Sequence, residues 1–281
     1  MLSYRHAFHA GNHADVLKHY VLSLVLDYFN QKDKPYWYID THAGAGMYTL
    51  KSEFAQKNAE YETGIVRVMQ AQNLPESLAK FITIANSFNI EGSLDFYPGS
   101  PKIAEFMLRK DDKLRLFELH PSDFKLLQEN FKGKSKQANI EMQDGFSGIK
   151  AFLPPPTRRA LVLIDPPYEI KEDYQHVVDC IKDSLKRFAT GTYLIWYPLL
   201  QRPEPELMLK NLENLEINDW LNVSLTIEKP SSEGYGMHGS GMFVINPPWT
   251  LPKTLAEAMP ILTSVLGLDA NAHFTLHSNI T

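Results

Sequence analysis

The tetrapeptide Asp165-Pro166-Pro167-Tyr168 follows an aliphatic run, Leu161 to Ile164, of the kind found in a strand covered on both faces. Prolines lack an N–H and fix φ, so a pair of them leaves carbonyls without ladder partners and stiffens the turn. The Asp165 carboxylate and the Pro166 carbonyl can then both accept hydrogen bonds from one NH2 group. Such a pair draws the nitrogen toward tetrahedral geometry and frees its lone pair to attack an electrophilic methyl group. The exocyclic amine of a heterocycle is a poor nucleophile, because its lone pair is delocalised into the ring. Positioning and polarisation must therefore supply most of the rate. Tyr168 would add a flat face for stacking a base, a contact worth roughly 1–3 kcal/mol. Asp165, Pro166 and Tyr168 are the catalytic candidates.

Such an amine needs a methyl donor beside it. The segment Asp40-Thr41-His42-Ala43-Gly44-Ala45-Gly46 ends an earlier apolar run, and glycines at the end of a first parallel strand let a cofactor approach the backbone closely. Two glycines alone fit a plain tight turn about equally well. Glu118 adds weight at the end of the next run, where a carboxylate can accept from both hydroxyls of a ribose. Asp144 ends the third, within reach of an adenine amino group. Each acid alone is as readily a helix cap or a surface charge; three at successive strand ends are harder to explain so. A second pattern, Asn246-Pro247-Pro248-Trp249, has no carboxylate. At the end of an antiparallel strand it would point away from the cofactor edge, so it reads as a structural turn.

The elements that must hold these residues alternate as a mostly parallel sheet requires. Tyr36 to Asp40, Leu114 to Leu119, Asn139 to Met142, Leu161 to Ile164, Thr192 to Tyr197, Leu221 to Glu228 and Met242 to Asn246 read as strands. Helices are expected over Asn12 to Phe29, Pro121 to Asn130, Gly145 to Phe152, Asp173 to Arg187 and Pro203 to Asn214. Ser100-Pro101 opens another, with serine as cap and proline in the first turn. The stretch from Glu53 is too long for a crossover and has helical apolar spacing, so residues 53–95 are expected to form an inserted helical subdomain. Residues 1–52 would carry the N-terminal motif and first strand, and 96–281 the rest of the core. Ser231 to Gly241 holds four glycines and three serines and reads as a mobile loop.

With 281 residues, of which 44% are hydrophobic and 22% charged, the chain can bury a sizeable core. Its longest apolar runs are too short to span a bilayer. The start lacks the pattern of a signal peptide. Cys180 is the only cysteine, which excludes an internal disulfide and a cysteine-cluster metal site and fits a reducing cytoplasm. A net charge of -5 argues against a large nucleic-acid surface held by electrostatics alone. An enzyme that extrudes one base needs only a local basic face, for which Arg5, Lys18, Arg158, Arg159, Lys182, Lys186 and Arg187 are candidates. His9, His13 and His19 suggest a metal site only weakly, because the chemistry needs no metal.

The aspartate-proline-proline-tyrosine motif after the fourth strand, with the glycines after the first, resembles the amino-methyltransferases of Rossmann-like fold. The resemblance extends further. Met1-Leu2-Ser3-Tyr4-Arg5-His6, Phe8 to His19, Asp40 to Gly46, Tyr97-Pro98-Gly99-Ser100-Pro101 and Glu118-Leu119-His120-Pro121 are similar to the RlmJ family of bacterial 23S rRNA adenine-N6 methyltransferases. That implies a class I methyltransferase with a seven-stranded, mostly parallel sheet and an antiparallel last strand. It also implies S-adenosylmethionine as cofactor, and a monomer acting on one adenine of 23S rRNA before the large subunit is assembled. Carried over by position, His19, His42, Ser100, Glu118, Asp144, Gly145 and Asp165 would contact the cofactor, while Tyr4, His6 and Lys18 would serve the RNA. No metal and no membrane are implied. The rivals are a DNA adenine or protein glutamine methyltransferase, an RNA-binding protein without catalysis, and a nicotinamide-dependent dehydrogenase. Asp165 favours a base over a glutamine, and no separate domain for reading DNA is evident. A dehydrogenase would want a third glycine where Met47-Tyr48-Thr49 stands.

Overall fold

The computed structural model describes residues 5–133 and 137–280. Tyr4 lies outside the described residues. A single 3-10 turn, His6–Phe8, leads into helix α1, His13–Asn30. Asn12 caps α1 by accepting a hydrogen bond from the Asp15 N–H. Strands β1 (Trp37–Asp40) and β2 (Met47–Thr49) follow. The inserted stretch carries four short helices, α2 (Glu53–Asn58), α3 (Glu60–Thr63), α4 (Ile65–Gln70) and α5 (Glu76–Asn86), and ends at β3 (Phe96–Pro98). Because β2 and β3 pair antiparallel, it leaves and rejoins the core at adjoining positions.

Helix α6 (Ser100–Met107), β4 (Lys113–Phe117), α7 (Pro121–Asn130), β5 (Ala138–Glu141) and α8 (Gly145–Gly148) come next. They are followed by β6 (Ala160–Ile164), α9 (Glu172–Arg187), β7 (Thr192–Leu199) and α10 (Glu204–Glu213). The chain closes with β8 (Trp220–Thr226), β9 (Gly239–Ile245), α11 (Leu251–Leu266) and β10 (His273–Asn279).

The main sheet has the order β10-β8-β9-β7-β6-β1-β4-β5. Strands β7, β6, β1, β4 and β5 run parallel, and β9 is antiparallel to both its neighbours. This is the Rossmann-like sheet with its antiparallel seventh strand, and β10 adds an eighth on the outer edge of β8. The sequence of β10 alternates weakly and its residues are exposed or half-buried, so patterning gives no sign of it. Strand order reverses at β1, where an open α/β sheet leaves a crevice at the carboxyl ends of its strands.

All five residues of β6 are buried. Leu161 and Leu163 pack into the layer holding α1, α5, α6 and α11, whereas Val162 and Ile164 face α9 and α10. This is the strand alternation of side chains, with each fully buried aliphatic contributing roughly 1.5–3 kcal/mol. Asn246 turns the chain after β9 with φ +51 and donates to the carbonyls of Ala189 and Gly191 at 2.8 and 2.6 Å. That turn lies at the edge opposite the crevice. The glycine-rich stretch 231–241 is a loop only as far as His238; Gly239 to Gly241 are buried in β9. A Cβ on Gly241 would come within 2.2 Å of the Tyr197 ring, so this glycine serves close packing instead of mobility. No helix among the described residues is long and apolar enough to cross a membrane.

Candidate active site

The carboxyl ends of β1, β4, β6 and β7 open onto a cavity of about 860 Å³. His6, Lys18, His19, His42, Ser100, Glu118, Asp144, Gly145, Asp165, Pro166 and Tyr168 all line it, so the described catalytic, cofactor and substrate candidates meet at one place.

One side is a backbone cradle. Gly44 has φ +59, and a Cβ there would come 2.3 Å from the Tyr48 hydroxyl. The Gly44 N–H donates to Glu118 Oε2 at 2.8 Å and the His120 N–H to Oε1 at 2.6 Å. Each carboxylate oxygen is thereby fixed while retaining a lone pair for a further donor. Burial pushes the Glu118 carboxyl up to about 7 despite those two N–H groups. Asp144 caps α8, accepting from the Phe146 and Ser147 N–H groups, and so is both a helix cap and a cavity residue. A Cβ on Gly145 would stand 2.0 Å from the Thr41 carbonyl oxygen, so only glycine lets these two loops meet.

Beneath the cradle lies Asp40, fully buried, which accepts from the hydroxyls of Tyr38 at 2.7 Å and Ser100 at 2.6 Å. Burial raises its carboxyl to about 6. His42 and His19 are neutral near pH 7. Burial lowers His42 to about 4, its Nδ1 2.8 Å from the Thr41 hydroxyl, and lowers His19 to about 3, its Nδ1 2.9 Å from the Tyr97 hydroxyl.

The other side carries Asp165. Lys18 Nζ donates to Asp165 Oδ2 at 2.6 Å and lies 3.0 Å from Asp15 Oδ1. Asp15 is buried and also accepts from the Gly11 N–H at 2.9 Å, with His6 Nε2 at 2.9 Å. Burial opposes its charge, yet His6 and Lys18 hold the Asp15 carboxyl well below the usual carboxylate range. Lys18, read from the sequence as a substrate residue, is thus bound to the candidate catalytic carboxylate itself. Tyr168 has φ +52, and its hydroxyl donates to the Trp196 carbonyl at 2.6 Å. Its ring lies 4.5 Å from that of Tyr174, and the residue is only 4% exposed. The open stacking platform expected of Tyr168 is therefore a largely covered wall, pinned by Tyr174 and Trp196.

Sequence reasoning missed Asp15 and Trp196. The first had a signal: Asp15, Lys18 and His19 stand at i, i+3 and i+4, one face of a helix. Of the candidate basic residues, Lys18 lines the cavity. Arg159 donates to the Phe29 carbonyl near the amino end of β1, Arg187 pairs with Asp183 at 2.8 Å, and Arg5 pairs with Asp123 at 3.3 Å. His9 binds Glu60 at 2.9 Å, and this hydrogen bond raises its pKa. Among the described residues no group of three or more His, Cys, Asp or Glu could hold a metal ion.

Residues 33–278 match the family model described as ribosomal RNA large subunit methyltransferase D, RlmJ. Over 276 residues the chain is 50% identical to ribosomal RNA large subunit methyltransferase J of Escherichia coli, covering 98% of each chain. The Haemophilus influenzae protein of the same name is 47% identical over 277 residues, again with 98% of each covered. A crystal structure of a Legionella pneumophila protein superposes with a TM-score of 0.89 at 34% identity, covering 96% of this chain and 98% of that one. With a Rossmann-like sheet, a glycine cradle facing an acid and a full-length match of this kind, the chain belongs to the ribosomal RNA large subunit methyltransferase J family of S-adenosylmethionine-dependent enzymes.

Proposed function

We propose that this protein methylates the N6 amino group of one adenine in 23S rRNA, working as a cytoplasmic monomer on RNA that is protein-free or early in assembly. One observation carries the reading: Asp165 and Pro166 end β6 in the same cavity as Glu118 and the Gly44 cradle. The cavity residues fit the cofactor. Glu118 offers two oriented oxygens to a ribose, Asp144 lines the same cavity, and Gly44 and Gly145 let the loops around them pack closely, since a Cβ at either would clash with Tyr48 or Thr41. When bound, S-adenosylmethionine supplies an electrophilic methyl group on a sulfonium.

The chain's own residues do the rest. Asp165 and the Pro166 carbonyl accept the two amino hydrogens and turn the nitrogen lone pair out of conjugation. Lys18 holds one oxygen of Asp165, which leaves acceptor capacity for the amine. Rigid presentation of two acceptors to a neutral amine is electrostatic preorganisation, needing no reorganisation during the reaction. Tyr168 and Trp196 wall the space for the extruded base. Tyr4 and His6 would contact the RNA.

The test is transfer of radiolabelled methyl from S-adenosylmethionine to unmethylated, protein-free 23S RNA, followed by nucleoside analysis. Label in N6-methyladenosine supports the reading. Label on another atom, or on DNA or a protein glutamine instead, overturns it.

A further inference from the structure

Arg202 lies outside the cavity, between β7 and α10, yet it grips the loop that carries the reaction. Its Nη2 donates to the Tyr168 carbonyl at 3.0 Å and to the Tyr174 hydroxyl at 2.9 Å. Its guanidinium carbon lies 5.2 Å from the centre of the Tyr174 ring, and that ring in turn packs on Tyr168. The loop needs such a hold. Pro166 and Pro167 cannot donate backbone hydrogen bonds, and Tyr168 sits in the left-handed region, which an aromatic residue seldom adopts unaided.

The contacts that fix Tyr168 include its hydroxyl on the Trp196 carbonyl, its ring on Tyr174, and its carbonyl on Arg202. Arg202 supports two of them, because it also holds Tyr174. The Tyr168 carbonyl is two residues from the Pro166 carbonyl, in a segment whose φ angles at 166 and 167 are locked by their rings. A change at Tyr168 therefore passes directly to the Pro166 carbonyl and the Asp165 carboxylate.

We propose that Arg202 is a positioning residue for methyl transfer, setting the backbone at Tyr168 so that Pro166 and Asp165 present their acceptors to the target amine. This rests on the reading of Asp165 and Pro166 as the amine-binding pair. Direct service to RNA phosphate fits less well. Arg202 Nε lies 4.0 Å from Glu204, and its Nη2 is committed to two acceptors inside the protein.

The experiment compares wild type, Arg202→Ala, Arg202→Lys and Tyr174→Phe in steady-state transfer to 23S RNA, with cofactor affinity by calorimetry and thermal stability alongside. For Arg202→Ala, kcat should fall about a hundredfold, the scale of a misplacement near one ångström. The KM for RNA and the cofactor Kd should stay within about threefold of wild type. Arg202→Lys can reach one acceptor but lacks the planar fork, so it should recover about tenfold of the lost rate. Tyr174→Phe keeps the ring and loses one hydrogen bond, so its kcat should lie between that of Arg202→Ala and wild type; if the alanine variant does not fold, these two decide. An unchanged kcat overturns the proposal. So does a loss confined to the KM for RNA, which would mark a phosphate contact, or one that tracks cofactor affinity and melting temperature. Wild type run in parallel separates the two readings: label on an atom other than N6 removes the adenine assignment while leaving the effect on kcat to judge Arg202. A wild type that labels nothing overturns both.

Discussion

As the proposed ribose ligand, Glu118 should give cofactor binding a pH dependence whose size follows from its surroundings. Its carboxyl is raised from 4.5 to about 7, chiefly by burial, with Asp123 and Asp40 adding to the effect and the N–H groups of His120 and Gly44 opposing it. Only the ionised carboxylate can accept from two ribose hydroxyls while still accepting from both backbone N–H groups; the protonated acid spends one oxygen as a donor. One pH unit below the midpoint about a tenth of the molecules are ionised, and one unit above about nine tenths. Apparent cofactor affinity scales with that fraction and should rise about tenfold between about pH 6 and about pH 8.

Glu118→Gln removes both the titration and one charge-assisted hydrogen bond worth about 1.5–3 kcal/mol, so binding at about pH 8 should weaken roughly tenfold to a hundredfold. The assay is calorimetric titration of S-adenosylmethionine at both pH values with both proteins. The cofactor's own amino group titrates alike in the two, so the difference in slope belongs to Glu118. Stability has the opposite sign. Because the folded-state pKa is raised, Glu118's contribution is full below about 4.5 and is lost as pH rises through about 7. Asp40, raised to about 6, adds a slope of the same sign that both proteins share. A variant whose affinity keeps the wild-type pH slope would refute the assignment of Glu118 to the ribose.

Asp165→Ala should fold normally yet lose methyl transfer; residual activity above about a tenth of wild type in the radiolabel assay would contradict its role. Gly145→Ala forces a Cβ to 2.0 Å from the Thr41 carbonyl, so the loops must part. A loss of about 1–3 kcal/mol is expected in thermal denaturation, with weaker cofactor binding by calorimetry. Tyr4→Ala should lower activity on RNA and spare the cofactor Kd, and a calorimetric loss instead would move Tyr4 to the cofactor side. The loop 231–238 brings Met237 to the cavity; its amide exchange should slow when RNA binds, and unchanged exchange would detach it from the substrate.

What the sequence made legible was whatever a single element imposes. The β6 run is continuous and aliphatic because helices cover both its faces, and Asp40, Glu118 and Asp144 are conspicuous because each stands at or shortly after the end of a strand. Contacts that need two distant elements were hidden. Nothing near Arg202 in sequence announces that it holds a carbonyl thirty-four residues earlier. Tyr168 looked like an open platform because its cover, Tyr174 and Trp196, comes from α9 and β7. Strand β10 was missed because an exposed edge strand needs no hydrophobic face.

The ion pair between Lys18 and Asp165 joins residues 147 positions apart and competes with the proposed reaction for the carboxylate, which must also receive an amine. Counting lone pairs removes the conflict. An ionised carboxylate has about four acceptor sites, and Lys18 takes one on Oδ2, which leaves acceptor capacity for the amine. Asp15 makes that arrangement durable: it is buried, held by the Gly11 N–H and His6, and anchors Lys18 from behind. A lysine tethered at both ends cannot swing freely into the space the amine must occupy. On this geometry α1 aims the carboxylate from one side and Arg202 steadies the loop from the other, so the two acceptors are placed before any substrate arrives.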